Sequence, residues 1–74
     1  MEAGNRPAPR FAVGTRVECD IGTWAPGIVI KHWYWELEFE LGNPAPYQVA
    51  LDDGELIYAP DDTNRVIRAL AHQP

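Results

Sequence analysis

A β-hairpin signal near residue 53 constrains the fold of this chain more than any other feature. The pair Asp53-Gly54 is flanked by Tyr47–Leu51 and Leu56–Ala59, two runs in which apolar side chains recur at every second position. An Asp-Gly pair between two such runs is favoured in a tight two-residue hairpin turn. The sequence therefore predicts a β-hairpin over 47–59, with Tyr47, Val49 and Leu51 on one face.

Three further segments have the length and pattern of short strands. Residues 16–21 alternate between apolar and charged side chains, which predicts a half-buried strand. Residues 23–33 contain a continuous apolar run, as expected where a sheet coils into a small barrel, and residues 65–70 predict a last short strand. The inward positions expected from the first and last of these strands are Val17, Cys19, Ile21, Val66 and Ile67. Five short strands separated by polar turns predict a small all-β barrel.

The size of the chain limits it to one small domain. A chain of 74 residues buries only about 60% of its unfolded surface and is of marginal stability. The single cysteine, Cys19, excludes an internal disulfide and is expected to be a small core hydrophobe. We predict a disordered arm over 1–10, a folded domain over 11–70 and a tail over 71–74.

The segment between the second and third strands is unusually rich in aromatic and acidic residues. Its sequence, HWYWELEFEL over 32–41, alternates strictly from Trp33 onward. The alternation places Trp33 and Trp35 on an apolar face and the glutamates on an acidic face, which favours a strand over a helix. An exposed apolar face of this size would exceed what monomers usually show. We therefore expect it to pack on the barrel, on a second copy or on a partner.

The order VGTRVEC, TWAPGIVI and APYQVALDDGELIYAPDDTNRVIR, which spans Val13 to Arg68, resembles the Tudor-like branch of SH3-like barrels. It also resembles short modules of algal and protist proteins that share an APYQV.LDDG.LIYAP core. The resemblance implies a small five-stranded SH3-like barrel with a long aromatic-rich insertion between strands 2 and 3. In such modules a proline-rich loop precedes APYQV, so the resemblance favours a loop where the alternation favours a strand. We expect a partly extended loop that folds over the barrel.

Tudor domains bind methylated lysine or arginine in an aromatic cage, where cation–π attraction replaces hydration of the cation. Carried over to this sequence, the cage positions fall on Asp20, Ala25, Leu51 and Glu55, which lack aromatic rings, and only Asp53 fits as a cage carboxylate. A displaced cage formed by Trp24, Trp33, Trp35 and Tyr58 stays open as an alternative. The other interpretation of these rings is packing in the core and under the insertion.

The composition argues against several classes of function. The net charge of −5, with a single lysine, disfavours binding to a phosphate backbone. The chain contains no serine, and its cysteine falls in mid-strand, so nucleophilic catalysis has almost no candidate residue. The cysteine, histidine and aspartate spacings match neither zinc nor calcium sites, and no signal peptide or membrane span is evident. We expect an intracellular, non-enzymatic chain without metal or cofactor.

The expected function is therefore protein interaction. Aromatic side chains interleaved with carboxylates favour a groove that binds a protein or peptide segment, with preference for a basic one. The candidate binding residues are Trp24, Trp33, Tyr34, Trp35, Glu36, Glu38, Glu40, Asp53 and Tyr58. One alternative is a structural or scaffold domain that forms a homodimer through the 33–41 insertion. A third possibility, nucleic-acid binding, follows only from analogy of fold.

Overall fold

The computed structural model describes residues 6–36, 39 and 43–70. These residues form an all-β domain of five strands without a helix, which confirms the predicted all-β class and number of strands. The strands are β1 (Arg16–Asp20), β2 (Trp24–Tyr34), β3 (Ala45–Leu51), β4 (Leu56–Ala59) and β5 (Ile67–Ala69).

The five strands pair into one antiparallel sheet with the order β4-β3-β2-β1-β5. The first four strands follow one another as hairpins, and β5 returns to pair with β1. Within the described part of the chain, the end strands β4 and β5 are not joined by a ladder, so the sheet is open rather than a closed barrel. Both end strands are short, with four and three residues.

The core is a cluster of side chains contributed by all parts of the sheet. It contains the predicted inward residues of β3 together with residues of every other strand. Its members are Val17, Cys19, Val29, Tyr47, Val49, Leu51, Ala59 and Ile67. Because β4 and β5 both contribute to this one cluster, the open sheet is curled around it.

The end of β1 differs from the prediction at one position. Ile21 was expected on the buried face, but it is 50% exposed. The strand ends at Asp20, whose Oδ1 accepts a hydrogen bond from the Gly22 backbone N–H at 2.9 Å. The Ile21 N–H in turn bonds to the carbonyl of Thr23. This turn ends the alternation of β1, so the Ile21 side chain does not lie on the buried face with Val17 and Cys19.

The predicted hairpin is present, but its turn is longer than predicted. The Gly54 N–H bonds to the Leu51 carbonyl at 2.9 Å, and the Leu51 N–H bonds to the Glu55 carbonyl at 2.8 Å. Gly54 has a φ of 96° and follows the turn formed by Asp52 and Asp53. This is a three-residue loop in which a glycine with positive φ forms a bulge. The sequence Asp-Asp-Gly is compatible with this loop, just as Asp-Gly is compatible with a two-residue turn.

Close contact between β2 and β3 requires glycine at position 27. A Cβ atom added there would lie 2.6 Å from the Ala50 carbonyl oxygen and 2.9 Å from Cγ1 of Val49. Gly27 lies opposite Leu51 in the β2–β3 ladder. Any larger residue would therefore push the two central strands apart.

A buried tyrosine connects β3 to segments on both sides of it in the sequence. Tyr47 is fully buried, and its hydroxyl donates to Asp62 Oδ1 at 2.7 Å and accepts from the Phe11 N–H at 3.0 Å. Arg10 also binds Asp62, and His32 Nε2 lies 2.7 Å from the Phe11 carbonyl oxygen. These contacts attach residues 10 and 11 to the sheet. The division into arm, domain and tail stays a prediction, because 1–5 and 71–74 lie outside the described residues.

Candidate functional site

Strand β2 ends within the segment that the sequence singled out. It stops at Tyr34, and Trp33 just before it has a φ of 53°, a conformation rarely adopted by bulky residues. The alternation expected from Trp33 onward is therefore broken at its first residue. Tyr34 and Phe39, which strict alternation would place on opposite faces, are in contact, with ring centroids 6.0 Å apart. The Phe39 N–H bonds to the Glu36 carbonyl at 2.9 Å.

Three rings form an aromatic cluster that joins this segment to the edge of the sheet. Tyr58 on β4 packs against Phe39 with centroids 4.6 Å apart and against Tyr34 with centroids 6.3 Å apart. The Tyr34 hydroxyl donates a hydrogen bond to Glu36. The aromatic cluster therefore brings the Glu36 carboxylate next to β4.

A groove of about 380 Å³ lies alongside β4. We call it the β4 groove. Its walls come from β4 and the residue after it on one side, and from the end of β1, the following turn and the residue before β5 on the other. Its lining residues are Cys19, Asp20, Ile21, Glu36, Leu56, Ile57, Tyr58, Ala59, Pro60 and Val66. The groove thus lies between β4 and the segments that end β1 and precede β5.

The β4 groove combines exposed apolar side chains with negative charge. Ile21, Leu56 and Tyr58 are 50%, 60% and 43% exposed. Asp20 and Glu36 contribute carboxylates, and no lysine or arginine occurs among its lining residues. A surface of this kind favours a ligand that is apolar in part and positively charged in part.

The structure brings three of the sequence-predicted site residues together. Tyr34, Glu36 and Tyr58 meet at the aromatic cluster, and the last two also line the β4 groove. Asp53 lies in the hairpin turn, where its Oδ1 accepts a bond from the Glu55 N–H, and it does not line the groove. The predictions for Glu38 and Glu40 lie outside the described residues.

The three tryptophans do not converge with Tyr58 on the groove. The guanidinium of Arg68 lies 3.7 Å from the centroid of the Trp24 ring and also bonds to Glu18 at 3.1 Å. Trp33 has Arg6 5.3 Å from its ring centroid, and its Nε1 is buried without a hydrogen-bond partner among the described residues. Trp35 is 42% exposed. None of the three lines the β4 groove.

Sequence reasoning missed several groove residues, namely Asp20, Ile21, Leu56 and Pro60. Gly22, which has a φ of 102°, was a usable signal, since a turn there ends the strand before Ile21. Leu56 is the first residue of β4 and points away from the core, because the inward alternation of β4 falls on Ile57 and Ala59.

Cys19 in the groove and Asp52 in the hairpin turn have shifted pKa values. Burial raises the pKa of the Cys19 thiol to about 11, so the thiol on the floor of the groove is protonated at neutral pH. The bidentate pair of Arg16 with Asp52, at 2.6 and 2.8 Å, lowers the pKa of the Asp52 carboxyl. The described part of the chain contains no group of three or more His, Cys, Asp or Glu residues that could hold a metal ion.

No known protein family, curated protein or solved structure matches the chain. Within residues 6–36, 39 and 43–70, no helix is long and apolar enough to cross a membrane.

Proposed function

We propose that this domain is a non-catalytic interaction module that binds a basic protein or peptide segment in the β4 groove. The observation that carries the proposal is the exposed apolar lining of Ile21, Leu56 and Tyr58 beside the carboxylates of Asp20 and Glu36. Apolar contact supplies affinity when it is removed from water. The carboxylates favour encounter with a positively charged segment and disfavour an acidic one.

We further propose that the domain is an SH3-like, Tudor-like barrel. In this barrel β4 and β5 are joined through side chains packed in the core rather than by a ladder. Supporting features are the sheet order β4-β3-β2-β1-β5 and the hydrogen-bonded turn at 63–67 that leads into β5. Curling around one core gives such a sheet the shape of a barrel, even though β4 and β5 have no ladder between them in the described residues.

Within that fold, general peptide binding is better supported than recognition of a methylated side chain. A cage needs several open ring faces around one cation. The contacts of Trp24 with Arg68 and of Trp33 with Arg6 place the protein's own guanidinium groups on two of the candidate rings. Of the two remaining candidates, Trp35 and Tyr58, the Tyr58 ring already packs against Phe39.

An array of basic, methylated, proline-rich and acidic peptides followed by NMR titration tests the proposal. We expect basic peptides to shift the amide signals of Ile21, Leu56 and Tyr58, and acidic peptides to leave them unchanged. The variant Leu56→Lys should abolish these shifts because it places a positive charge in the groove. Val13→Lys is the matched control, since Val13 is 55% exposed and does not line the groove. No shifts in the groove at millimolar basic peptide would contradict the proposal.

A homodimer through the 33–41 insertion is the second candidate, and the exposure of Trp35 favours it. Sedimentation at micromolar concentration distinguishes the two. A concentration-dependent dimer that Trp35→Ala dissociates would support this alternative. Nucleic-acid binding is the weakest candidate, because the chain has a net charge of −5 and the groove is acidic. The absence of enzymatic activity and the intracellular location stay predictions.

A further inference from the structure

In the described part of the chain, strand β4 pairs on one side only, and its residues line the β4 groove. On one side, Leu56–Ala59 pairs with β3 from Ala50 to Tyr47. On the other side, no strand pairs with it in the described part of the chain. All four β4 residues line the groove, and no residue of β3 does. The unpaired edge of a strand presents backbone N–H and C=O groups that can pair with another chain.

The two end strands of the described sheet differ in charge. Strand β5 has a charged central residue, Arg68, whose guanidinium lies over the Trp24 ring and bonds to Glu18. Charged residues in an edge strand are a common means of blocking edge pairing. Strand β4 has no charged residue, and its outward side chains, Leu56 and Tyr58, are apolar or aromatic. Pro60 directly after it lacks an N–H and ends the available edge.

We propose that the ligand binds by strand addition: an extended segment pairs its backbone with the free edge of β4 and fills the gap between β4 and the end of β1. This inference rests on the proposed function and specifies its mode of recognition. Four residues of β4 offer about 13 Å of pairing edge. Main-chain hydrogen bonds then supply affinity, and alternate side chains supply specificity.

The side chains of the groove specify the chemistry of the added strand. Its inward residues would cover the buried Cys19 and Ala59, which form both core and groove floor, and these residues should be apolar. Asp20 and Glu36 lie in the groove without a lysine or arginine among the lining residues. The ligand class is therefore an extended segment in which lysine or arginine alternates with valine, isoleucine or similar residues.

Peptides that differ only in backbone methylation test strand addition directly. The parent peptide alternates valine and lysine over eight residues. In one analogue all valine amides are N-methylated, and in the other all lysine amides are N-methylated. Because successive N–H groups of a strand point to opposite edges, each analogue blocks one edge and leaves the side chains unchanged. A peptide with glutamate in place of lysine is the control for charge.

We expect the parent peptide to bind and one methylated analogue to bind about tenfold or more weakly, since it loses backbone hydrogen bonds to β4. The other analogue should bind like the parent. Hydrogen exchange should show new protection in β4 amides that exchange rapidly in the free protein. The Val13→Lys variant should behave like the unmodified protein, whereas Leu56→Lys should not bind.

The possible outcomes separate this inference from the proposed function. If both methylated analogues bind as well as the parent, with shifts in the groove, the groove binds by side chains alone and strand addition is wrong. If no basic peptide binds, both proposals fall. If the free protein is a dimer with all β4 amides protected, a second copy occupies the edge and the peptide proposal is overturned.

Discussion

Replacement of the buried Tyr47 by phenylalanine tests how the domain is held together. The change removes one oxygen atom and leaves the packing of the ring against Phe11 and His32 in place. It deletes the bond to the Asp62 carboxylate at 2.7 Å and the bond from the Phe11 N–H at 3.0 Å. Segments 10–11 and 60–64 then lose a common attachment to β3.

The magnitude follows from the type of the two bonds. A hydrogen bond to a charged group contributes about 1.5–3 kcal/mol and a neutral one about 0.5–1.5 kcal/mol. Asp62 keeps its bonds to Arg10, which reduces the loss. We therefore expect Tyr47→Phe to lower the free energy of unfolding by about 2–3 kcal/mol. In a domain of this size that corresponds to a decrease in Tm of roughly 10–20 °C.

Urea unfolding followed by tryptophan fluorescence measures this loss. Tyr58→Phe is the matched control, because Tyr58 is 43% exposed and its hydroxyl makes no hydrogen bond to the described residues. Its stability should change by less than about 0.5 kcal/mol. The double variant Tyr47→Phe with Asp62→Asn should show strong non-additivity. A loss below about 0.5 kcal/mol for Tyr47→Phe would refute the claim that this hydroxyl attaches the N-terminal segment.

Three further predictions concern stability and reactivity. Gly27→Ala should destabilise the domain by about 3 kcal/mol, measured by urea unfolding, because its Cβ would lie 2.6 Å from the Ala50 carbonyl oxygen; wild-type stability would contradict the close contact. Burial, followed by the bond to Asp62, raises the pKa of Tyr47 from 10 to about 12, so the folded state favours the neutral phenol. That stabilisation should be complete below pH 10 and lost as the pH rises through about 12, and Tyr47→Phe should flatten the decline seen in unfolding curves. Cys19 is 2% exposed with a pKa raised to about 11, so iodoacetamide at pH 8 should label it in urea and not in the native protein, as mass spectrometry can check.

The strands could be predicted from the sequence because their signals are local. Alternation in β1 and β3, and an Asp-Gly turn between β3 and β4, depend on residues that are close neighbours in the chain. Trp33 was different: its positive φ interrupts an alternation that continues in the sequence, and no local pattern indicates such a conformation.

The β4 groove could not be predicted, because it depends on the curl of the sheet. Its walls combine residue 36 with 19–21, 56–60 and 66, which are brought together only by the pairing of β1 with both β2 and β5. Tyr58 and Glu36 could be identified as site residues from their residue types. Ile21 and Leu56 could be identified only from their exposure in the structure. The contact of Arg68 with the Trp24 ring could likewise not be predicted, because it depends on the β1–β5 register that places Arg68 opposite Glu18.

Stability and binding should be separable, because they depend on different parts of the domain. The Tyr47 hydroxyl faces Phe11 and Asp62, neither of which lines the β4 groove, whereas Leu56 lines the groove and is 60% exposed. At a temperature where both variants stay folded, Tyr47→Phe should bind the valine–lysine peptide with unchanged Kd despite its lower stability. Leu56→Lys should keep its stability and lose the peptide, and saturating peptide should raise the Tm of Tyr47→Phe but not that of Leu56→Lys. If Tyr47→Phe instead weakened peptide binding under conditions where it is fully folded, the groove would depend on the N-terminal attachment, and a site formed by β4 and the end of β1 alone would be the wrong description.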